Sequence, residues 1–313
     1  MAQYLVTGGA GFIGSHLCQR LLASGYAVRV LDDLSSGRRE NLAELDGEVD
    51  LIEGDLRDEV LVGAALAGVD YVLHHAAIAS VQTSIEQPLF EQEVNAVGTL
   101  RLFEAARRAG VRRVVFAASA ASYGNESTAP KREEMLPAPE SPYAISKIAG
   151  EHYARVYSSL YGLEVVCLRY FNVFGPRQDP SSPYSGVISI FAERMLAGAA
   201  PTIFGDGGQS RDFVYIDNVV EANMRACATP GIAGRVYNIG CGRSASLLEL
   251  VAALNRVLGT VIEPEFAPAR PGDVRISLAN TAQAQRELGY EPVVHFEEGL
   301  ERTLAWMRAT RGD

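Results

Sequence analysis

Val6-Thr7-Gly8-Gly9-Ala10-Gly11-Phe12-Ile13-Gly14-Ser15-His16-Leu17, "VTGGAGFIGSHL", follows a short apolar run at the start of the chain and leads into helical spacing. Gly9, Gly11 and Gly14 satisfy the form Gly-x-Gly-x-x-Gly, and Gly8, Gly11 and Gly14 the wider Gly-x-x-Gly-x-x-Gly. Between a strand and a helix these glycines have a physical task. The turn is tight, the backbone must come close to a pyrophosphate, and the positive end of the helix then faces that anion. Gly8, Gly11, Phe12, Ile13 and Gly14 are therefore the first candidate cofactor contacts.

The next strand-like run, "AVRVLDD", ends on Asp32, where an acidic side chain would accept from the hydroxyls of an adenosine ribose. A carboxylate there repels a 2'-phosphate, which favours NAD over NADP, although Arg38 and Arg39 lie close by. Further out, β-rich runs alternate with helical patterns: "VDLIEGD" and a helix after Asp58, "DYVLHHAA", the amphipathic stretch Pro88 to Ala109, "VRRVVFAAS", and "LEVVCLRYF". Continuous apolar strands separated by helices predict a doubly wound α/β fold with a parallel sheet covered on both faces. After Asn172 the chain turns rich in Gly, Pro, Ser and Asp, the texture of loops over a site. Helices are predicted from Asp217, as cap, to Cys227, and from Leu247 to Leu258 behind a Ser246–Glu249 capping box.

Composition narrows the function classes. The 313 residues carry 28 Lys and Arg against 38 Asp and Glu, a formal net charge of -10. Such a chain lacks the clustered cations that nucleic acid requires, so an anionic ligand must be met by a few arginines or by helix N-termini. Cys18, Cys167, Cys227 and Cys241 are widely spaced and form neither a metal-ligand pattern nor a disulfide framework. Met-Ala-Gln-Tyr has no basic n-region, and the first apolar run is too short for a signal or a membrane span, which points to the cytoplasm.

"SPYAISK", Ser141 to Lys147, places a tyrosine and a lysine on one face of a helix opened by Ser141 as cap and Pro142 in the first turn. With "TGGAGFIG", "GDLRD", "HHAA", "NAVGT", "FAASAASYG" and "RYFNVFGPRQDP" in this order, the chain resembles the extended short-chain dehydrogenase/reductase family from Leu5 to about Trp306. "GDGGQSRDFVYIDNV" and "RPGDVRISLAN" make it most similar to the UDP-hexose 4-epimerases within that family.

The resemblance implies a Rossmann-type doubly wound parallel sheet, with residues 1–172 and 212–241 forming the NAD domain. Residues 173–211 and 242–313 would form a smaller mixed α/β UDP-sugar domain. It implies Tyr143 as the base, Lys147 as the ammonium that favours its phenolate and bonds the nicotinamide ribose, and Ser119 as hydrogen-bond partner of the reacting oxygen. Asp55 and Leu56 would contact the adenine, Ala76 and Ala77 the pyrophosphate and ribose path, and Asn95 and Tyr170 would support the cofactor. His74 and His75 have no third ligand at useful spacing and read as structure, so no metal is expected. Arg211 and Arg270 would bind the substrate diphosphate, Asn172 would donate to the same region, and Asp273 would accept from the uridine ribose. Val187 and Phe204 complete the implied substrate pocket. Helices Pro88 to Ala109 and Pro142 to Tyr161 would pair with their copies in a four-helix homodimer interface.

Related dehydratases place an Asp-Glu pair two and three positions after the catalytic hydroxyl residue, and decarboxylases a Glu in that segment. Here Ala121 and Ser122 occupy the pair's positions, so elimination lacks its acid and base. The implied reaction is epimerisation at carbon 4 of a UDP-hexose through a transient 4-keto sugar. Ser277 stands where restricted epimerases carry a bulky tyrosine and leaves room for an N-acetyl group. Ala120 and Ala121 lack the hydroxyls of the specialised N-acetyl enzymes, so a broad specificity is expected. The alternatives are a UDP-glucuronate epimerase, disfavoured by Asp179 where a cation would suit the carboxylate, another NAD-dependent nucleotide-sugar enzyme, and a non-catalytic nucleotide-binding protein, against which Ser119, Tyr143, Lys147 and both arginines argue.

Overall fold

The computed structural model describes residues 1–179, 186–269 and 274–311. Arg270 and Asp273, two of the implied substrate contacts, lie outside them. In chain order the strands are β1 (Gln3–Thr7), β2 (Ala27–Asp32), β3 (Val49–Glu53), β4 (Tyr71–His74), β5 (Arg113–Ser119), β6 (Glu164–Tyr170) and β7 (Asn172–Phe174). They are followed by β8 (Thr202–Phe204), β9 (Ser210–Arg211), β10 (Phe213–Tyr215), β11 (Val236–Ile239), β12 (Ala245–Ser246), β13 (Glu265–Ala267) and β14 (Ile276–Ser277). The helices are α1 (Phe12–Ala23), α2 (Glu40–Ala43), α3 (Glu59–Ala65), α4 (Val81–Glu86), α5 (Pro88–Gln92), α6 (Gly98–Ala109) and α7 (Pro142–Leu160). Beyond them come α8 (Val187–Leu196), α9 (Ile216–Ala228), α10 (Leu247–Leu258), α11 (Ala282–Leu288) and α12 (Phe296–Arg311).

Seven strands form one sheet in the order β11-β6-β5-β4-β1-β2-β3, every pair parallel. The alternation of side chains along each strand divides its core. Val6, Val30, Leu73, Val115 and Val166 pack with α1 and α9 on one face, and Leu5, Leu31, Val72, Val114 and Val165 with α3, α6 and α7 on the other. Between β1 and β4 the strand order reverses, which opens a crevice at their C-terminal ends. The remaining strands have two or three residues each: β10 beside β7, β13 beside β8, and β12-β9-β14.

Two local expectations are corrected. The stretch Pro88 to Ala109 is not one helix: α5 passes through a π-helical turn, Glu93–Val97, into α6. Asn95 in that turn clamps Ile78, accepting from its N–H at 2.8 Å and donating to its C=O at 2.9 Å, a contact set by tertiary packing. Asp217 is not a cap, because α9 starts at Ile216 behind Tyr215, and Asp217 pairs with Arg302 at 3.0 Å. The Ser141 cap of α7 and the Ser246–Glu249 capping box both form. No described helix is long and apolar enough to cross a membrane.

Candidate functional site

The glycine loop rises from β1 into α1 at the mouth of the crevice. Gly8 has φ of +69°, and a Cβ there would sit 2.7 Å from Ala76 N on the neighbouring segment. A Cβ on Gly14 would meet Gly8 O at 2.1 Å. The loop is thus drawn down against β4 and folded on itself, leaving backbone where a pyrophosphate would lie. These residues fit a dinucleotide. Ala76 N and His75 N both donate to Thr7 Oγ1 at 3.2 Å, which fixes the start of the Ala76-Ala77 segment.

Asp32 is buried at the end of β2, with Oδ2 accepting from Ala10 N and Oδ1 from Leu34 N, each at 2.9 Å. Its carboxylate braces the glycine loop with one acceptor direction per oxygen already used. Arg38 pairs with Asp179 at 2.5 Å, and Arg39 pairs with Glu53. The two cations that could have served a 2'-phosphate are engaged. Arg38 N also donates to Ala10 O at 3.0 Å, which sets the Arg38 backbone beside the glycine loop. Asp55 is held by Arg57 at 2.5 Å, and Leu56 is buried under Gly98.

Ser119, the last residue of β5, accepts from Ala121 N at 3.1 Å and so opens the short 3-10 turn Ala120–Tyr123. Tyr143 stands in the first turn of α7, with the Ser119 hydroxyl among the groups near its phenol. Lys147 is 5% exposed, donates from Nζ to Ala117 O at 2.9 Å, and lies 5.7 Å above the Tyr143 ring. Burial pulls the Lys147 ammonium down to about 8, with nearby Glu91 acting in its support. The Tyr143 phenol is raised above its ordinary value, chiefly by burial, while Ser119 pulls it back and Glu91 adds to the rise. In the unliganded protein, then, the tyrosine is held as a phenol.

His74 is fully engaged between Thr7 Oγ1 at 2.8 Å and Thr99 Oγ1 at 2.9 Å. His75 stacks on Tyr170 and meets its hydroxyl at 2.9 Å, and Asn223 donates to the same oxygen at 2.8 Å. Burial lowers both imidazoles, so neutral histidines wall the crevice. Among the described residues no cluster of His, Cys, Asp and Glu is suited to a metal ion.

The segments expected to meet the substrate are joined by short strands. Arg211 on β9 pairs in register with Ser277 on β14, and its guanidinium reaches Val274 O at 2.5 Å. Asn172 N donates to Asp212 O at 3.0 Å, and Asp212 N to Ser277 O at 2.7 Å. Phe204 O accepts from Gln209 Nε2 at 2.6 Å, and Val187 opens α8. Two residues with no role in the sequence reading organise these groups. Asp212 is fully buried and accepts from Cys241 N at 2.7 Å, Gly242 N at 3.0 Å and Ala279 N at 3.1 Å, tying together three segments. Glu91 lies buried under the Tyr143 helix. Position beside Arg211 was the available signal for Asp212, whereas nothing in the sequence set Glu91 apart.

The chain is similar to known proteins along almost its whole length. The family model for the NAD dependent epimerase/dehydratase family matches residues 4–240. The chain is 46% identical over 308 residues to a UDP-glucose 4-epimerase of Mycolicibacterium smegmatis, covering 97% of this chain and 98% of that one. Among solved structures, the Thermotoga maritima UDP-glucose 4-epimerase with UDP-glucose superimposes with a TM-score of 0.94 at 41% identity, covering 99% of each chain. The UDP-N-acetylglucosamine 4-epimerase of Methanobrevibacter ruminantium, in complex with UDP-N-acetylmuramic acid, gives 0.94 at 38%, again covering 99% of each.

Proposed function

We propose that this chain, which belongs to the NAD-dependent epimerase/dehydratase family, is a 4-epimerase of UDP-hexoses that works through a transient 4-keto sugar. The observation that carries the reading is the placement of Ser119, Tyr143 and Lys147 at the C-terminal end of β5, beside the crevice, with only Ala121 and Ser122 where elimination would need acid and base. When bound, NAD supplies reversible oxidation at carbon 4. Gly8, Gly11, Phe12, Ile13 and Gly14 would cradle it, Asp32 would face its adenosine ribose, and Asp55, Leu56, Ala76, Ala77, Asn95 and Tyr170 would line its path.

The chain's own residues manage the proton and the sugar's position. Tyr143, acting as the phenolate, takes the hydroxyl proton at carbon 4 and later returns it from the phenol, with Ser119 Oγ steering the oxygen toward it. Lys147, buried and charged, supports the phenolate as it forms. Arg211, with Arg270 and Asn172, would grip the diphosphate, because guanidinium offers paired planar donors to phosphate oxygens. Asp273 would hold the uridine ribose, and Val187 and Phe204 would wall the base and sugar. Firm binding of UDP with few polar contacts to the hexose lets the keto-sugar turn and present its other face.

Ser277 leaves space for an acetamido group, while Ala120 and Ala121 offer it no hydroxyl, which supports a bifunctional enzyme. UDP-glucose and UDP-galactose would interconvert, and the N-acetylated pair as well. The test is incubation with UDP-galactose, UDP-N-acetylgalactosamine and UDP-glucuronate in separate reactions, resolved by proton NMR. Conversion of the first two is expected; conversion of UDP-glucuronate alone would overturn the assignment. Ser277→Tyr should abolish the N-acetylated reaction and spare UDP-galactose.

A division into a cofactor domain, 1–172 with 212–241, and a sugar domain, 173–211 with 242–313, belongs to this reading, and the pairing of β11 with β6 in the main sheet supports it. A cytoplasmic homodimer is part of the same reading. Ile85, Leu89 and Phe90 on α4 and α5, and Ile145, Leu160 and Tyr161 along and just beyond α7, are exposed apolar side chains that a second copy would cover. Sedimentation as a monomer at micromolar concentration would refute that interface.

A further inference from the structure

Beneath the helix that carries Tyr143 and Lys147 lies a carboxylate with no part in the reaction outlined above. Glu91, in α5 just before the π-helical turn, is 0% exposed. Its Oε1 accepts from Ser146 Oγ at 2.7 Å and from the Asn95 amide, and its Oε2 accepts from Gln92 Nε2 at 2.6 Å. Ser146 directly precedes Lys147, and Gln92 also donates to the carbonyl of Pro142, the residue before Tyr143. The carboxylate is therefore tied to both ends of the turn that presents the pair.

Burying a carboxylate costs free energy that a neutral side chain of similar size would not incur. The donors around it do not require one. Ser146 Oγ also reaches Tyr143 O, Asn95 Nδ2 reaches Ile78 O, and Gln92 Nε2 reaches Pro142 O, each at 2.9 Å. Hydrogen-bond satisfaction thus leaves the charge unexplained.

Other ionisable groups near the pair are neutral or compensated. His74 and His75 on β4 are held neutral by burial. Glu151, one turn beyond Lys147, pairs with Arg169 at 2.7 Å. Glu104 on α6 pairs with Arg107 and Arg108, and Glu93 is exposed and faces Arg57. Among the described residues, Glu91 is the buried carboxylate that Ser146 and Gln92 tie to the turn between Tyr143 and Lys147.

We infer that Glu91 is a positioning residue whose buried carboxylate, anchored to α7 through Ser146 and Gln92, sets both the placement and the electrostatic surroundings of Lys147 and Tyr143. This rests on the reading of Tyr143 and Lys147 as the reacting pair. A negative charge raises the pH at which every nearby group loses its proton, so its removal must move both groups in one direction.

The test uses the holoenzyme with Glu91→Gln, which keeps shape and removes charge, and Glu91→Asp, which keeps charge. In Glu91→Gln both limbs of the pH dependence of turnover should move to lower pH together, and in Glu91→Asp they should stay. Independently of any sugar, the ultraviolet phenolate signal assigned to Tyr143 by difference against Tyr143→Phe should appear at lower pH in Glu91→Gln. Unmoved limbs and an unmoved phenolate signal would overturn the inference, whatever the loss in rate. Should Glu91→Gln fail to fold, Glu91→Met fills the same space, because every donor keeps its second acceptor. If no UDP-sugar reacts even with the wild-type protein, the reaction assignment fails, while the phenolate titration still decides the role of Glu91.

Discussion

The cofactor crevice and the substrate floor are built in opposite ways. The crevice grows from long parallel strands and from contacts close in sequence: Gly14 against Gly8, Asp32 holding Ala10 and Leu34, and Tyr143 and Lys147 on one helix. The floor is stitched from strands of two or three residues around residues 172, 211 and 277 and from the loop at Cys241, with the Asp212 carboxylate as the knot. A continuous sheet can lose one contact and keep its shape, because neighbouring ladders hold it. A floor converging on one side chain has no such reserve, so damage there should fall on substrate binding before it reaches the cofactor.

The largest expected effect tests the chemical end of the crevice. Tyr143→Phe should lower turnover by about 10²–10⁴-fold, the range for loss of a general acid–base group, while bound NAD, read by absorbance after denaturation, is retained. Normal turnover would remove Tyr143 as the proton carrier. On the floor, Asp212→Ala leaves the N–H groups of Cys241, Gly242 and Ala279 without their acceptor, and the buried one, at Ala279, costs about 1–3 kcal/mol. It should raise the KM for UDP-galactose and lower the melting temperature, with cofactor content unchanged. Loss of NAD instead would show that the two regions are not independent.

Gly14→Ala attacks the crevice itself and should cost about 1–3 kcal/mol with loss of bound cofactor, because the new Cβ meets Gly8 O. Retained cofactor would mean that α1 can shift to admit a methyl group. A smaller effect joins the two regions. His16 on α1 meets Pro176 O at 3.0 Å, beyond β7, and burial lowers its imidazole from 6.5 to about 4. The folded state therefore holds this proton less tightly than the unfolded chain, and the contribution of His16 to stability is full above pH 6.5 and lost as pH falls toward 4. Denaturant titrations of wild type and His16→Gln should diverge over that window, and parallel curves would remove His16 from the account.

The glycine loop, Asp32, Ser119, Tyr143 and Lys147 were legible because each is defined by local context: a strand end, a helix start, or the spacing of one helical turn. The same holds for the Ser141 cap and the Ser246–Glu249 capping box. The broken course of Pro88 to Ala109 was not legible, because the π-helical turn is held by Asn95 reaching across to Ile78. Asp217 misled for the same reason, being drawn away from capping by Arg302 on the last helix.

By itself, then, the sequence determined the parallel α/β architecture, the dinucleotide loop and the tyrosine–lysine pair, since periodicity and steric room act over a few residues. Only the tertiary structure decided which groups surround that pair, that Arg38 and Asp179 meet beside the glycine loop, and that Asp212 and Glu91 sit buried at the centres of their regions. Burial and electrostatic neighbourhood depend on residues far apart in the chain, and no local pattern records them.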